Sequence, residues 1–337
     1  MKPLRRMTVA LAVGAIMVTA ACGGGEGGGL SDAPKAQDQP AAPGGGGTKI
    51  LKMIETPGGP LSFVAYGVQK GYFTEEGIDL QLTPNPGGGT SNVPALLNDE
   101  YDVSGLDLVS TLITAGRGLP IKIVAAGSST SQEPEGDFSA VLVKADSPIQ
   151  GPKDLAGKTI GVNALKNINE VAIKAELEKQ GVDPNSAKLV ELPFPEILAA
   201  VQRGDVDAGV VIEPFSTIGQ AQGLRVVHRP WWGIKPGLQI GAMIMTDKQI
   251  AEDPKLVDAF ARAVKKTADE IKANPQAFRA ALPALIKLDP ALAGKVNLIQ
   301  WQGDTDPKSV EIIGESMKKY GLLERGVNLD YDKLIVH

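Results

Sequence analysis

An α/β protein of two lobes, each a mainly parallel sheet flanked by helices, is the fold this sequence predicts. Three observations carry it. From Lys49 onward, apolar runs of strand length alternate with segments of helical periodicity, the pattern of βαβ units. Residues 206–212 form a nearly continuous apolar run, as a strand covered by helices on both faces does. The stretch 194–215, which contains that strand, is echoed at 95–107. Ala200, Asp205 and Asp207 answer Ala95, Glu100 and Asp102 at one offset, 207 − 102 = 105 residues. Two copies of a helix–strand unit imply two related lobes with something held between them.

Composition narrows the function. The chain has 337 residues, enough for one large core or two ordinary ones. With 22% charged residues and a net charge of −5 it has no basic stripe for nucleic acid. His228, His337 and Cys22 are its whole stock of histidine and cysteine, too few for a zinc, iron or thiol cluster. No metal and no cofactor are expected.

At the N-terminus Lys2, Arg5 and Arg6 precede an apolar segment, 7–18, too short to span a bilayer comfortably. Thr19-Ala20-Ala21-Cys22 closes it with small residues. Residues 1–21 read as a secretory signal and Cys22 as the lipidated first residue of a bacterial lipoprotein. Residues 22–47 are Gly, Pro, Ala, Gln and Asp with few large apolar side chains, a flexible leash that cannot bury a core. The folded body is therefore expected outside the cytoplasm, anchored to the outer face of the cell membrane.

In the first lobe, strands are expected at 49–55, 78–83, 101–106 and 121–126. Helices are expected at 61–73, from a Thr90 or Ser91 cap through Leu97, and at 110–116. In a parallel sheet, ligands sit beyond the carboxyl ends of the strands. Those ends carry Pro57-Gly58-Gly59, Gly88-Gly89-Thr90, Asp107 and Ser129. Glycine- and hydroxyl-rich loops that feed helix N-termini suit an anion, although each glycine alone can simply serve a turn.

In the second lobe, strands are expected at 139–144, 159–162, 189–192, 206–212 and 224–228. Gly151 to Thr159 resembles a phosphate-binding loop, but its glycine spacing is one too long and a strand, not a helix, follows Lys158. Asn167 with Glu170 has capping-box spacing for a helix over 168–180, which ends at Gly181. That helix starts at a strand's carboxyl end, so Asn163 and Asn167 are candidate ligand contacts, with plain capping the rival for Asn167. A second helix starts at Phe194 and stops at Gly204, and the strand after it ends at Glu213-Pro214. Trp231 and Trp232 either plug the junction between the lobes or place a ring against the ligand. Residues 239–245 form an apolar strand, and helices near 255–273, 276–286, 290–296 and 307–320 are expected to pad the first lobe.

Gly71-Tyr72-Phe73 with Glu76-Gly77-Ile78, Leu155 to Gly161, and Val206 to Phe215 together resemble the signatures of the nitrate, sulfonate and taurine solute-binding proteins. The resemblance covers about 49–323. It implies a two-lobed type II periplasmic binding protein fold with two hinge crossings, residues 48–138 and 239–337 in one lobe and 139–238 in the other. It also implies a monomer that captures a small molecule and delivers it to the permease of an ABC importer, without catalysis. The same family binds thiamin-pyrimidine precursors and has a fungal branch that makes the pyrimidine with a His and a cysteine cluster. This chain has no such cluster. Helix N-termini favour an anion such as a sulfonate, taurine or nitrate, whereas Glu213 and Trp231 would suit an amine or a heteroaromatic group. Glu213 is either a ligand acceptor or a structural bond near the hinge.

Overall fold

The computed structural model describes residues 48–324 and 326–336; the signal segment, Cys22 and the linker lie outside the described residues. Strand β1 (Lys49–Glu55) leads to helices α1 (Gly59–Gln69) and α2 (Tyr72–Glu75), and β2 (Ile78–Pro84) to α3 (Val93–Leu97). Strand β3 (Val103–Asp107) leads to α4 (Leu108–Gly116), and β4 (Ile121–Ala126) to the short β5 (Ser128–Ser129). The second sheet begins with β6 (Ser139–Lys144) and β7 (Thr159–Val162), followed by α5 (Ile168–Lys179) and β8 (Lys188–Glu191). Next come α6 (Phe194–Arg203), β9 (Ala208–Ile212), α7 (Phe215–Ala221), β10 (Leu224–His228) and α8 (Pro230–Ile234). The chain ends with β11 (Gly241–Thr246), α9 (Asp247–Glu252), α10 (Pro254–Ala273), α11 (Pro275–Ile286), α12 (Pro290–Ala293), β12 (Gln300–Trp301) and α13 (Pro307–Lys319).

The two sheets have one plan. The first is ordered β2-β1-β3-β11-β4 and the second β8-β7-β9-β6-β10. In each, four strands run one way and one runs against them, β11 in the first and β6 in the second. The echo in the sequence has a physical counterpart. Asp102 Oδ2 accepts the Lys52 amide at 2.7 Å, and Asp207 Oδ2 accepts the Thr159 amide at 2.8 Å. In return the Asp102 and Asp207 amides donate to the Lys52 and Thr159 carbonyls, both at 2.8 Å. Each aspartate thus clips the N-terminal end of its own strand, β3 or β9, to the neighbouring strand, at the edge away from the carboxyl ends.

Helix boundaries follow local chemistry. Helix α10 opens with Pro254, Asp253 accepts the Leu256 amide, and the face of Val257, Phe260, Val264 and Ala268 is buried. Helix α6 stops where Gly204 turns left-handed at φ 82°. Gly71, at φ 80°, breaks the helix expected over 61–73 into α1 and α2. Neither Thr90 nor Ser91 caps α3; Ser91 Oγ donates to the Gly88 carbonyl within a 3₁₀ turn instead. Helix α7, β12 and the reversed direction of β11 are features the apolar pattern did not indicate.

Two crossings join the sheets and run side by side. The Gly127 amide donates to Gly241 at 3.0 Å, Ile240 to Ser128 at 2.8 Å, and Thr130 to Leu238 at 2.9 Å. Strand β12 pairs with β5 beside them, Trp301 against Ser128. The segment between α12 and α13, for which the sequence suggested no strand, is thereby carried to the crossings.

Candidate functional site

A cavity lies where the carboxyl ends of β1 and β3 face those of β7 and β9. Glu55 and Asp107 reach it from the first sheet, Asn163 and Ile212 from the second. Phe138, Phe194, Trp231 and Trp301 supply aromatic walls. Its volume is ≈ 60 Å³; one water needs about 10–15 Å³ on this measure, so the cavity has room for a compact solute.

Asp107 ends β3 and caps α4: its Oδ1 accepts the Ser110 amide at 3.1 Å and its Oδ2 the Ser110 hydroxyl at 2.6 Å. The same Oδ1 accepts the Ile168 amide at 3.2 Å, at the N-terminus of α5 in the other sheet's helical layer. One carboxylate therefore serves two helix N-termini from opposite sides of the cleft. Burial pushes the Asp107 carboxyl above its ordinary range, and the Ser110 and Ile168 bonds oppose that rise.

Across the cleft a chain of amides fixes the far wall. Trp231 Nε1 donates to Asn169 Oδ1 at 2.9 Å, and Asn169 Nδ2 donates to Asn163 Oδ1 at 2.9 Å. Asn167 Nδ2 donates to the same Asn163 oxygen at 3.2 Å, while Asn167 Oδ1 caps α5 through the Asn169 amide. Two donors on one oxygen set the Asn163 amide orientation and leave its Nδ2 beside the Gly88 turn. Glu170 does not complete a capping box with Asn167; its carboxylate accepts the Lys166 amide. Trp231 packs edge-on against Phe138, centroids 5.1 Å apart at 83°, and Trp301 stacks on Phe63 at 4.0 Å. Trp232 points elsewhere, donating to the Gln132 carbonyl at the crossing. Trp231 thus lines the cavity, while Trp232 lies at the crossing.

Glu55 is the residue the sequence reading passed over. It is 5% exposed, and among the described residues its carboxyl accepts one hydrogen bond, from the Thr56 amide at 2.6 Å. A Cβ on Gly105 would lie 1.8 Å from Glu55 Oε2, so glycine is what seats the carboxyl against β3. Burial pushes its pKa from 4.5 up to about 8, with the Thr56 amide only partly offsetting it.

Of the candidates named from sequence, Gly89, Asp107, Asn163, Asn167 and Trp231 line this cavity. Gly88 sits just behind it, where a Cβ would meet the Thr56 hydroxyl at 3.0 Å and the Asn163 amide nitrogen at 3.3 Å, and Thr90 is half-buried in the adjoining turn. Ser129 is buried in the β5–β12 pairing. Pro57, Gly58, Gly59 and Glu213 belong to the junction beside it rather than to its lining. The Gly59 amide donates to the Glu213 carbonyl at 3.1 Å, and the Glu213–Pro214 peptide is cis. The Glu213 carboxyl accepts the Ser216 hydroxyl at 2.7 Å, the Thr217 amide at 3.2 Å and the Asn297 amide at 3.3 Å. Those bonds use it for bracing, and burial raises its pKa against them. Arg229 donates to the Ser139 carbonyl at 2.9 Å, with Glu213 and Asp137 as its acidic neighbours. Among the described residues no group of three or more His, Cys, Asp or Glu side chains could hold a metal ion.

Two α/β lobes that enclose a cavity between their strand ends are the architecture of periplasmic binding proteins. The alkanesulfonate-binding protein SsuA of Xanthomonas axonopodis pv. citri, solved with MOPS, superposes with a TM-score of 0.70. That likeness covers 84% of this chain and 96% of SsuA at 16% identity, so it speaks for the fold alone. The chain belongs to the NMT1/THI5 like family, whose description matches residues 61–278. Among curated relatives, the taurine-binding periplasmic protein of Escherichia coli K12 is 26% identical over 190 residues, 56% of this chain and 57% of that protein. The 4-amino-5-hydroxymethyl-2-methylpyrimidine phosphate synthase of Aspergillus parasiticus is 26% identical over 242 residues, 68% of this chain and 67% of that enzyme. The match thus spans little more than half of the first relative and two thirds of the second.

Proposed function

We propose that this chain is an extracytoplasmic solute receptor, lipid-anchored through Cys22, that captures a compact small molecule between its lobes and hands it to the permease of an ABC importer. One observation carries the reading. The cavity is built from both sheets at once, and Asp107 ties the two sides together through the Ile168 amide. A ligand that touches both walls stabilises the closed arrangement over an open one, which is how a hinged receptor signals occupancy. The relatives' names supply two ligand types, taurine or other sulfonates and a pyrimidine. Aromatic walls at Phe138, Trp231 and Trp301 favour the planar type as the second reading.

The test is thermal melting of the purified protein against taurine, alkanesulfonates, nitrate and aminopyrimidines. A saturating rise in melting temperature with one of them supports the receptor reading. Conversion of a bound pyrimidine or its precursor to product would move the protein to the enzymes instead, and stabilisation by none would remove the transport reading.

A further inference from the structure

We propose that Glu55 is the specificity determinant of the cleft and that the ligand presents it with a nitrogen centre bearing N–H donors. Chemically this is an ammonium, or a protonated amidine such as an aminoheterocycle, on a compact body. The inference rests on the receptor reading above and adds the ligand's polarity to it.

The cavity lining contains two ionisable side chains, Glu55 and Asp107, and both are carboxyls. Among the described residues no lysine, arginine, histidine, tyrosine or cysteine lines it. The helix N-termini that would otherwise attract an anion already hold one. Asp107 takes the Ser110 amide of α4 and the Ile168 amide of α5, the groups a sulfonate or nitrate would need. Arg229 is committed to the Ser139 carbonyl, between Glu213 and Asp137. An oxyanion entering here would therefore find the Ser110 and Ile168 amides taken by the Asp107 carboxyl and no compensating cation among the described residues of the lining, which is costly.

Glu55 has the opposite need. Its carboxyl is nine-tenths buried, lines the cavity and, among the described residues, has only the Thr56 amide as a partner. Gly105 holds open the space it occupies. Among the described residues Asp107 is the one other titratable group lining the cavity, so none of them there neutralises Glu55 when it ionises. An N–H donor on the ligand does so, and the rings of Phe138, Trp231 and Trp301 favour a cation or a planar heterocycle beside it. Glu55 holds its proton to about pH 8 without ligand, so binding a cation near pH 7 expels that proton.

The experiment is titration calorimetry of the purified protein with taurine, ethanesulfonate, nitrate and 4-aminopyrimidine, in two buffers of different ionisation enthalpy at pH 7. Taurine and ethanesulfonate differ by the amine alone. At least one of the nitrogen probes, taurine and 4-aminopyrimidine, is expected to bind more than about tenfold tighter than ethanesulfonate and nitrate. Taurine, already an ammonium, releases about one proton, whereas 4-aminopyrimidine, neutral at pH 7, takes up the proton that Glu55 gives and shows little net exchange. Glu55→Gln is expected to lose more than about tenfold in affinity for the probe that binds and to abolish the proton release with taurine. Ethanesulfonate or nitrate binding as tightly as the nitrogen probes would overturn this inference and leave the receptor reading standing. So would undiminished affinity in Glu55→Gln, or wild-type taurine binding with no proton release. Binding of no probe at all would overturn both.

Discussion

Asp107 and Ile168 are joined across the cleft by a hydrogen bond of 3.2 Å, from the backbone amide that opens α5 to the carboxylate that caps α4. The bond makes one side chain the cap of two helices that belong to different sheets. Asp107→Ala leaves both N-termini without their acceptor. A capping side chain contributes about 0.5–2 kcal/mol, so the variant should lose stability in that range. It should also open the lobes, read as a larger radius of gyration in X-ray scattering. An unchanged radius with normal stability would show that the bond does not hold the cleft shut.

Glu55 makes the unliganded protein sensitive to pH in a defined direction. Its carboxyl holds a proton to about pH 8 in the folded state, against an ordinary value of 4.5 in the unfolded chain. Between those values the native state binds the extra proton, so stability falls as pH rises, with a limiting slope of about 1.4 kcal/mol per pH unit. The contribution is complete below the lower value and gone above the upper one. Urea melts across this window should show the fall in wild type and a flatter profile in Glu55→Gln. The variant should be the more stable protein at the alkaline end. Equal slopes in the two proteins would contradict the assignment.

Gly127 lies where the two crossings touch. A Cβ there would sit 2.6 Å from the Gly241 carbonyl carbon and 2.9 Å from the Ala242 nitrogen, backbone that cannot rotate away. Overpacking of this kind costs about 1–3 kcal/mol. Gly127→Ala should be destabilised accordingly by denaturant melting, whereas alanine at Gly118, with nothing near its Cβ direction, meets no such contact. Gly118 does have φ 74°, so its own cost is backbone strain of about 1 kcal/mol and should not alter the crossings.

Asp102 and Asp207 make the same clip in the two lobes. Replacing either with alanine removes one charged acceptor from a backbone amide, for a loss of about 1–2 kcal/mol each. The two losses should add, because the sites share no partner. Ligand affinity should stay as in wild type, since neither residue lines the cavity. A double variant losing much more or less than the sum would show that the lobes are energetically coupled through these edges.

Much of this architecture is written in local pattern. Strand β1 occupies the predicted residues, and Gly204 and Asp107 mark their helix boundaries as their chemistry requires. The duplicated unit was legible because both copies must bury the same helix face and clip the same strand. What stayed hidden depends on long-range pairing. Trp301 reaches the cavity only because Gln300–Trp301 pairs with β5, a register that a two-residue strand cannot announce. Glu55 was hidden differently: it is the last residue of a strand, and its meaning comes from Gly105, fifty residues on, leaving space for it. The expectation of an anion rested on free helix N-termini. Asp107, named as a contact, fills them from within the chain.

The most direct test of the central claim, that the ligand sits in this cavity, uses the chain's three tryptophans. Trp231 and Trp301 line it and Trp232 does not. Tryptophan fluorescence should change saturably on addition of the solute found in the melting screen. The account predicts that Trp232→Phe keeps that change, while a Trp231→Phe, Trp301→Phe double variant loses it. A saturable change that survives in the double variant and vanishes in Trp232→Phe would place the ligand elsewhere and contradict the account.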